Sequence, residues 1–599
     1  MITGGAGSGK STLAAERIKA AAEAGKSVLA CIPEQFSFEY DRTMYGKLGA
    51  ALYNSIETAG FLRIANDIFI KYGGSSGKSA DDLTKTVLMH RTIMRLSAEK
   101  AFVCFGRQAG TKTFAESCLK TVKEFMTAGI SPDMILGLSG KLGDFPKLSD
   151  IALIYSEYTS ALAECGLKDG DSDIFRAAEA AVKNKSFAGK HIFIDEFKSF
   201  TGDQYKMIAA MLMSAESVTV AVSAEKKPAQ RFGLFDTANE TYLRIMSMAE
   251  DMGVPAETVH LDGTKRFRYP ETAFLSENIM RPRPAKFSGK CEKVRLICGD
   301  NVYDEADFTA AEIRRLTALG ECRYGDIAVV SRNMESCRAA LEGAFERFGI
   351  EMSGSGTKSA ENSPEAIYCC SALRLAAKKI PSAEDVLRLL KTGLAGFSRE
   401  EVSEFENYIY TVGIDGKMLT EPFVYKDDMT ELSTEELEGF VPERIRTAVI
   451  TPIERFRSRA EGKTADEVCL HFSSYLKETG LAENVALVIN ELSTPDEKGI
   501  LPSADKLARA REHTQTLEML VKYITAVRRS AGDTVFPLPE FYELFSAGTS
   551  KLRTASPPRT LDCVTVEPAE TARLASPKVI FILGVNEGVF PMTPKAGGL

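Results

Sequence analysis

The stretch GGAGSGKS, Gly4 to Ser11, constrains this chain more than any other. It fits G-x-x-x-x-G-K-S through Gly4, Gly9, Lys10 and Ser11, and TLAAERIKAAAEAG behind it reads as an amphipathic helix ending at Gly25. Glycines in such a loop let backbone N–H groups turn inward around phosphate oxygens. The lysine neutralises the β and γ charges, and the serine hydroxyl can ligate a divalent cation. The pattern predicts that Gly4, Gly7, Gly9, Lys10, Ser11 and Thr12 hold ATP, with Ser11 on its Mg²⁺. The bland alternative is a glycine-rich turn with no ligand. Only Met1, Ile2 and Thr3 precede the loop where a strand belongs, so a clipped or misassigned N-terminus is expected.

Two further strands support the loop. SVLACIPEQFSFE reads as an apolar strand, Val28 to Ile32, and a polar turn; strand, loop, helix, strand opens a nucleotide-binding α/β sheet. Much later, KHIFIDEFKSF gives the buried strand Ile192 to Ile194, ending in Asp195 and Glu196. An aspartate there can hold the Mg²⁺ of a bound nucleotide, and the following glutamate can orient or deprotonate a water. Asp-Glu pairs also arise by chance; the short apolar strand before this one is what distinguishes it. Between the two strands the pattern is mostly helical, including DDLTKTVLMHRTIMRLSAEK and IALIYSEYTSALAECG. Such an insertion is foreign to small kinases and simple GTPases and fits a helicase-like first lobe.

At 599 residues the chain has room for about three to five packed units. No apolar run approaches the ~18 residues of a membrane span and no signal-peptide pattern opens the chain, so a cytoplasmic location and no membrane partner are expected. Its 12 cysteines lack a CxxC knuckle or disulfide spacing, and its five histidines lack H-E-x-x-H spacing. Asp169, Asp171 and Asp173 resemble the start of a calcium loop but lack its glycine and closing glutamate, so they read as a solvated helix start. The net charge of -8 excludes blanket nucleic-acid affinity. One strip is locally basic: Lys265, Arg266, Arg268, Arg281, Arg283, Lys286, Lys290, Lys293 and Arg295, interleaved with Phe267, Tyr269, Phe274 and Phe287. That mixture suits phosphate contact and base stacking on single-stranded DNA, with Arg266 and Arg268, and the turn residues Gln35 and Phe36, as candidates. A merely solvated basic face gives the same composition.

From Lys293 the sequence reads as a strand, a helix and the buried strand Ile327 to Ser331; residues from about 355 to 555 are then mainly helical, and a strand returns at Val579. The fold expected is α/β: two RecA-like P-loop lobes of superfamily 1 helicase type, each interrupted by helices. Residues 1–264 would form the first lobe with an insertion at about 75–185, 265–350 the start of the second, 351–560 its helical insertion, and 561–599 the return to the second lobe.

IPEQFSFE, IDEF, the segment Phe232 to Tyr242, YGDIAVVSRN and LGVNEGVFP together resemble AddB, the B subunit of bacterial AddAB helicase-nucleases. The resemblance implies a heterodimer with an AddA-like motor/nuclease partner, action on DNA ends for recombination, and Chi recognition by lobes that no longer translocate. It also implies a C-terminal nuclease and a [4Fe-4S] cluster, for which this chain shows neither carboxylate motif nor clustered cysteines; an N-terminal portion of a longer protein is the expectation. A superfamily 1 motor carries GD-x-x-Q and T-x-H-x-x-KGLE elements, whereas this chain has VTVAVSAEKKPAQRFG and VTVEPAETARLAS. The competing readings are an active stand-alone helicase, favoured by the intact loop and Asp-Glu pair, and a noncatalytic scaffold binding a partner motor and single-stranded DNA.

Overall fold

The computed structural model describes all residues except 75–77, 140–145, 227–234, 280–282, 354–357, 427–429, 496–498, 500, 555–561, 573, 575–576 and 593–599. Its first sheet has six strands: β1 Ile2–Gly4, β2 Ser27–Cys31, β3 Ile56–Ala59, β4 Lys190–Ile194, β5 Ser217–Val222 and β6 Val259–Leu261. They lie in the order β3-β2-β4-β5-β1-β6, with every pairing parallel. Parallel sheets need both faces covered, which is why β2 is apolar at consecutive rather than alternate positions. Leu29 and Cys31 face a core with Ile64, Phe69, Ala177 and Met207. Val28 and Ala30 face the opposite one, with Ile18, Tyr40, Met44 and Leu48.

The second sheet comprises β7 Ile327–Ser331, β8 Met352–Ser353, β9 Val564–Pro568 and β10 Val579–Leu583. Its order is β8-β9-β7-β10, again all parallel. Helices Val302–Ala318 and Met334–Phe348 pack Ile313, Leu341 and Phe345 onto Ile327, Val329, Val566 and Leu583. The architecture is therefore α/β with parallel sheets and many helices.

Helices interrupt both sheets. Between β3 and β4, helices Asp82–Ala98, Lys112–Ala128 and Pro146–Glu164 build a core of their own around Leu88, Ile93, Phe114 and Tyr158. Helix Asp173–Asn184, which follows, packs instead on the first sheet through Ile174, Ala177 and Ala181. Between β8 and β9 a larger helical core gathers Phe405, Phe472, Tyr523, Phe541 and Phe545. Val87, from the first insertion, is fully buried in that second core. Beside it, the Arg91 guanidinium donates to the Ser530 carbonyl at 3.1 Å. The two insertions thus pack together. Among the described residues no helix is long and apolar enough to cross a membrane.

Two expectations are corrected. The strand read from Lys293 does not form: residues 291–300 carry no strand, Leu296 is 88% exposed, and Arg295 pairs with Glu312 at 2.6 Å. The segment has strand-like residues but no neighbouring strand to bond to, and a strand exists only in a ladder. The acidic run does start a helix, Asp173–Asn184, but it is not solvated. Asp169 is buried, bridges Lys85 at 2.5 Å and accepts from the Tyr158 hydroxyl at 3.0 Å, while Asp171 takes Lys85 at 2.8 Å. A buried lysine needs such partners, and these carboxylates supply them.

Candidate nucleotide site

β1 sits between β5 and the edge strand β6, so its carboxyl end delivers the glycine-rich loop to the sheet one strand in from that edge. β4 lies one strand beyond β5 and runs the same way, which brings Asp195 and Glu196 to the same edge. This is where open parallel sheets take ligands. Helix α1, Lys10–Glu23, starts at the end of the loop with Gly9 in a left-handed conformation, φ 100°. Glycine is needed at Gly4 and Gly7 for space as well as for positive φ. A Cβ at Gly4 would lie 2.6 Å from the Leu261 carbonyl oxygen, and one at Gly7 would lie 2.7 Å from the Cβ of Arg266.

The Lys10 ammonium folds back into the loop and donates to the carbonyls of Gly4 at 3.1 Å and Gly5 at 2.8 Å. Burial lowers its pKa; Asp195 and Glu196 work against that, and Arg266 adds to it. Ser11, the second residue of α1, donates its hydroxyl to Glu196 Oε1 at 3.1 Å. Thr12, the next residue, is exposed on the first turn. Glu196 holds φ at 66°, a left-handed conformation rare for a residue with a Cβ, and its N–H donates to Asp195 Oδ1 at 2.8 Å.

Asp195 is 4% exposed, and its Oδ2 has no hydrogen-bond partner among the described residues. Burial, reinforced by the Glu196 charge, pushes its carboxyl up to about 6 despite the Glu196 N–H, Ser11 and Lys10. A buried carboxylate oxygen without a protein partner, beside a serine hydroxyl and a second carboxylate, is a set of hard oxygen donors. It fits Mg²⁺. Lys10 and the inward-turned loop fit a polyphosphate on the same side. ATP and Mg²⁺ therefore suit the residues present.

Sequence spacing missed two neighbours of this site. Tyr40 is buried, and its phenol is pushed far above its usual range by burial and then by the charges of Asp195 and Glu196. Lys265 donates its backbone N–H to the Gly7 carbonyl at 2.8 Å and lays its side chain along Gly9. The following residue, Arg266, is brought to the loop rather than to a separate groove. No local signal could have shown this, because it depends on β6 pairing with β1 across more than 250 residues.

The other expected DNA contacts are dispersed. Phe36 is half-buried against the core of Tyr40 and Met44; Gln35 lies in the turn Glu34–Phe36, and its side chain is outside the described residues. Arg268 is exposed just before helix Pro270–Asn278. Within the basic strip, Phe274 and Phe287 stack on each other with ring centres 5.2 Å apart, and Lys293 lies over Tyr269. Arg281 and Phe232 lie outside the described residues.

Comparison with known proteins bears on the same residues. The sequence model of the family described as ADDB, N-terminal, matches residues 1–276. The B subunit of the ATP-dependent helicase/deoxyribonuclease of Acetivibrio thermocellus is 28% identical over 98% of this chain and 52% of its own length. The same subunits of Caldanaerobacter subterraneus and Clostridium novyi are 27% and 25% identical over 100% of this chain and 52% of their own lengths. The chain thus spans about half the length of these curated relatives. The resemblance to AddB read from its motifs is shown by both comparisons: along its length this chain is similar to helicase/deoxyribonuclease B subunits, and its first 276 residues match the N-terminal family of AddB.

Proposed function

We propose that this chain is the ATP-binding and DNA-binding B-type subunit of a heterodimeric helicase-nuclease, working with an AddA-like motor/nuclease partner on DNA double-strand ends for recombination. In this reading its two parallel sheets are helicase-type, RecA-like lobes that take part in recognising Chi and do not translocate. The observation that carries nucleotide binding is the meeting of Lys10 and Ser11 with Asp195, whose buried Oδ2 lacks a partner among the described residues. Bound Mg-ATP supplies a phosphoanhydride whose charge the metal shares. Lys10 would exchange the Gly4 and Gly5 carbonyls for phosphate, Ser11 would release Glu196 for the metal, and Asp195 would hold that metal. Glu196, freed from Ser11, is placed to orient a water and leaves slow hydrolysis open.

Loss of movement is supported by what stands at the coupling positions. After β5 the chain runs Ser223-Ala224-Glu225-Lys226, and the Glu225 N–H is tied to Asn239 Oδ1 at 3.0 Å. The remainder of that element, 227–234, lies outside the described residues. β9 is followed by Ala569 and Glu570, where Glu570 pairs with Arg332 at 2.6 Å and its carbonyl accepts from Lys198 at 3.2 Å. Neither segment of the sequence carries the Gly-Asp-x-x-Gln or the Lys-Gly-Leu-Glu run with which a motor senses nucleotide and strand together. The nuclease and iron-sulfur modules belong, in this reading, to the half of the relatives' length that this chain does not span.

Titration of the full chain with a fluorescent ATP analogue and Mg²⁺ tests the reading. Saturable binding that disappears with EDTA and weakens by roughly fiftyfold or more in Lys10→Ala is expected, given the charge-assisted contacts removed. Absence of binding, or binding indifferent to Lys10→Ala, would overturn it.

A further inference from the structure

We propose that the side-chain amide of Asn239 is a ligand of the nucleotide's terminal phosphate, so that this residue sets how strongly the site prefers ATP to ADP. The inference rests on the nucleotide reading above and extends that site to a helix outside the loop and the Asp-Glu pair.

Asn239 lies at the end of the first turn of helix Asp236–Asp251, which packs on the first sheet through Ile245. It is 5% exposed, its Oδ1 accepts the Glu225 N–H at 3.0 Å, and its Nδ2 has no hydrogen-bond partner among the described residues. A backbone N–H donates only to an acceptor, so the bond from Glu225 fixes which end of the amide is oxygen and leaves the NH2 group as the free end. A buried donor without a partner is unfavourable, and an anionic oxygen is the strongest acceptor it can take.

Sheet register puts this amide beside the loop and the acidic pair. β5 separates β1 from β4, and its end is level with both, Val222 pairing with Thr3 and Val220 with Ile194. Beyond β5 the chain crosses the end of β1, because Lys226 pairs at 2.9 Å with Asp262, which follows β6 on the far side of β1. Glu225, the residue before Lys226, is the one that Asn239 holds. Lys10 on one side of the end of β5 and Asp195 on the other would hold the phosphate chain across it. That brings the terminal phosphate, the group ADP lacks, to the segment that Asn239 anchors.

The test uses the full chain and a fluorescent ADP displaced by Mg-ATPγS or by Mg-ADP, in wild type, Lys10→Ala, Asn239→Asp and Asn239→Ala. Asn239→Asp keeps an oxygen for the Glu225 N–H and replaces only the donor end, so a purely structural role would leave the ratio of the two affinities unmoved. Both Asn239 variants should weaken Mg-ATPγS by about tenfold or more, the scale of one hydrogen bond to a charged group, and leave Mg-ADP within about twofold. Asn239→Ala adds no charge and decides the matter if Asn239→Asp fails to fold, which its Mg-ADP affinity reports. If both variants keep the wild-type ratio while Lys10→Ala loses both nucleotides, the inference fails and the nucleotide reading stands. Equal weakening of the two nucleotides, or loss of both in both variants, also overturns it, since the amide would then support the loop as a whole. Wild type that binds neither nucleotide overturns the reading and the inference together.

Discussion

Asp195 is ionised at neutral pH only against its surroundings. Its carboxyl is raised from 3.8 to about 6 by burial and by Glu196, so folding favours its protonated form relative to the unfolded chain. Stability from this group is full below the unfolded value near 4 and is lost as pH rises through 6, a difference of about 3 kcal/mol. Asp195→Asn should therefore raise the apparent Tm of the nucleotide-free chain at pH 7.5 while abolishing Mg²⁺-dependent nucleotide binding; a lowered Tm would contradict this. The same pH sense arises from a different cause at His513, whose ring pairs with the fully buried Glu365. Its hydrogen bond to Glu365 raises the His513 pKa above 6.5, so the pair's contribution is complete below 6.5 and fades as pH rises through the folded value. Urea denaturation at pH 6 should show His513→Ala about 3 kcal/mol less stable, because a buried carboxylate loses its partner, with a smaller gap at pH 8.5. The loop residues and the Asp-Glu pair were legible because their spacing is local. Arg266 was legible as a cation but not as a neighbour of the loop.

Among elements, helix Leu538–Thr549 shows how tightly the larger helical core is fitted. A Cβ on Gly548 would collide with Tyr523 Cζ, and that buried phenol is held by its bond to the Leu544 carbonyl at 2.7 Å. Gly548→Ala should cost about 3 kcal/mol, as overpacking with no room to yield does, and chemical denaturation that finds wild-type stability would refute the packing described. Long apolar strands such as β4 and β7 announced themselves in the sequence. β6, three residues of intermediate burial, and β8, two residues, carry too few side chains for any period to show. The segment from Lys293 failed in the other sense: its residues suit a strand, but pairing is decided by the neighbours, which composition does not reveal.

For the whole molecule, the two helical insertions were legible as interruptions of strand pattern, whereas their mutual packing was not, since Val87 and Ser530 are far apart in the chain. Val87→Asp, which buries an unpaired charge in the larger core, should speed proteolysis of the insertions while leaving Mg-ATPγS affinity within about twofold, because the loop rests on the first sheet. A parallel loss of nucleotide affinity would mean that the insertions support the site. The central claim is that this chain keeps a nucleotide site without a motor's use of it. ATP turnover by the full chain, alone and with single-stranded DNA, measured beside Lys10→Ala, tests that most directly. Turnover that is weak or absent and unchanged by DNA, in a chain that binds Mg-ATP, is the result predicted; robust DNA-stimulated hydrolysis lost in Lys10→Ala would contradict it.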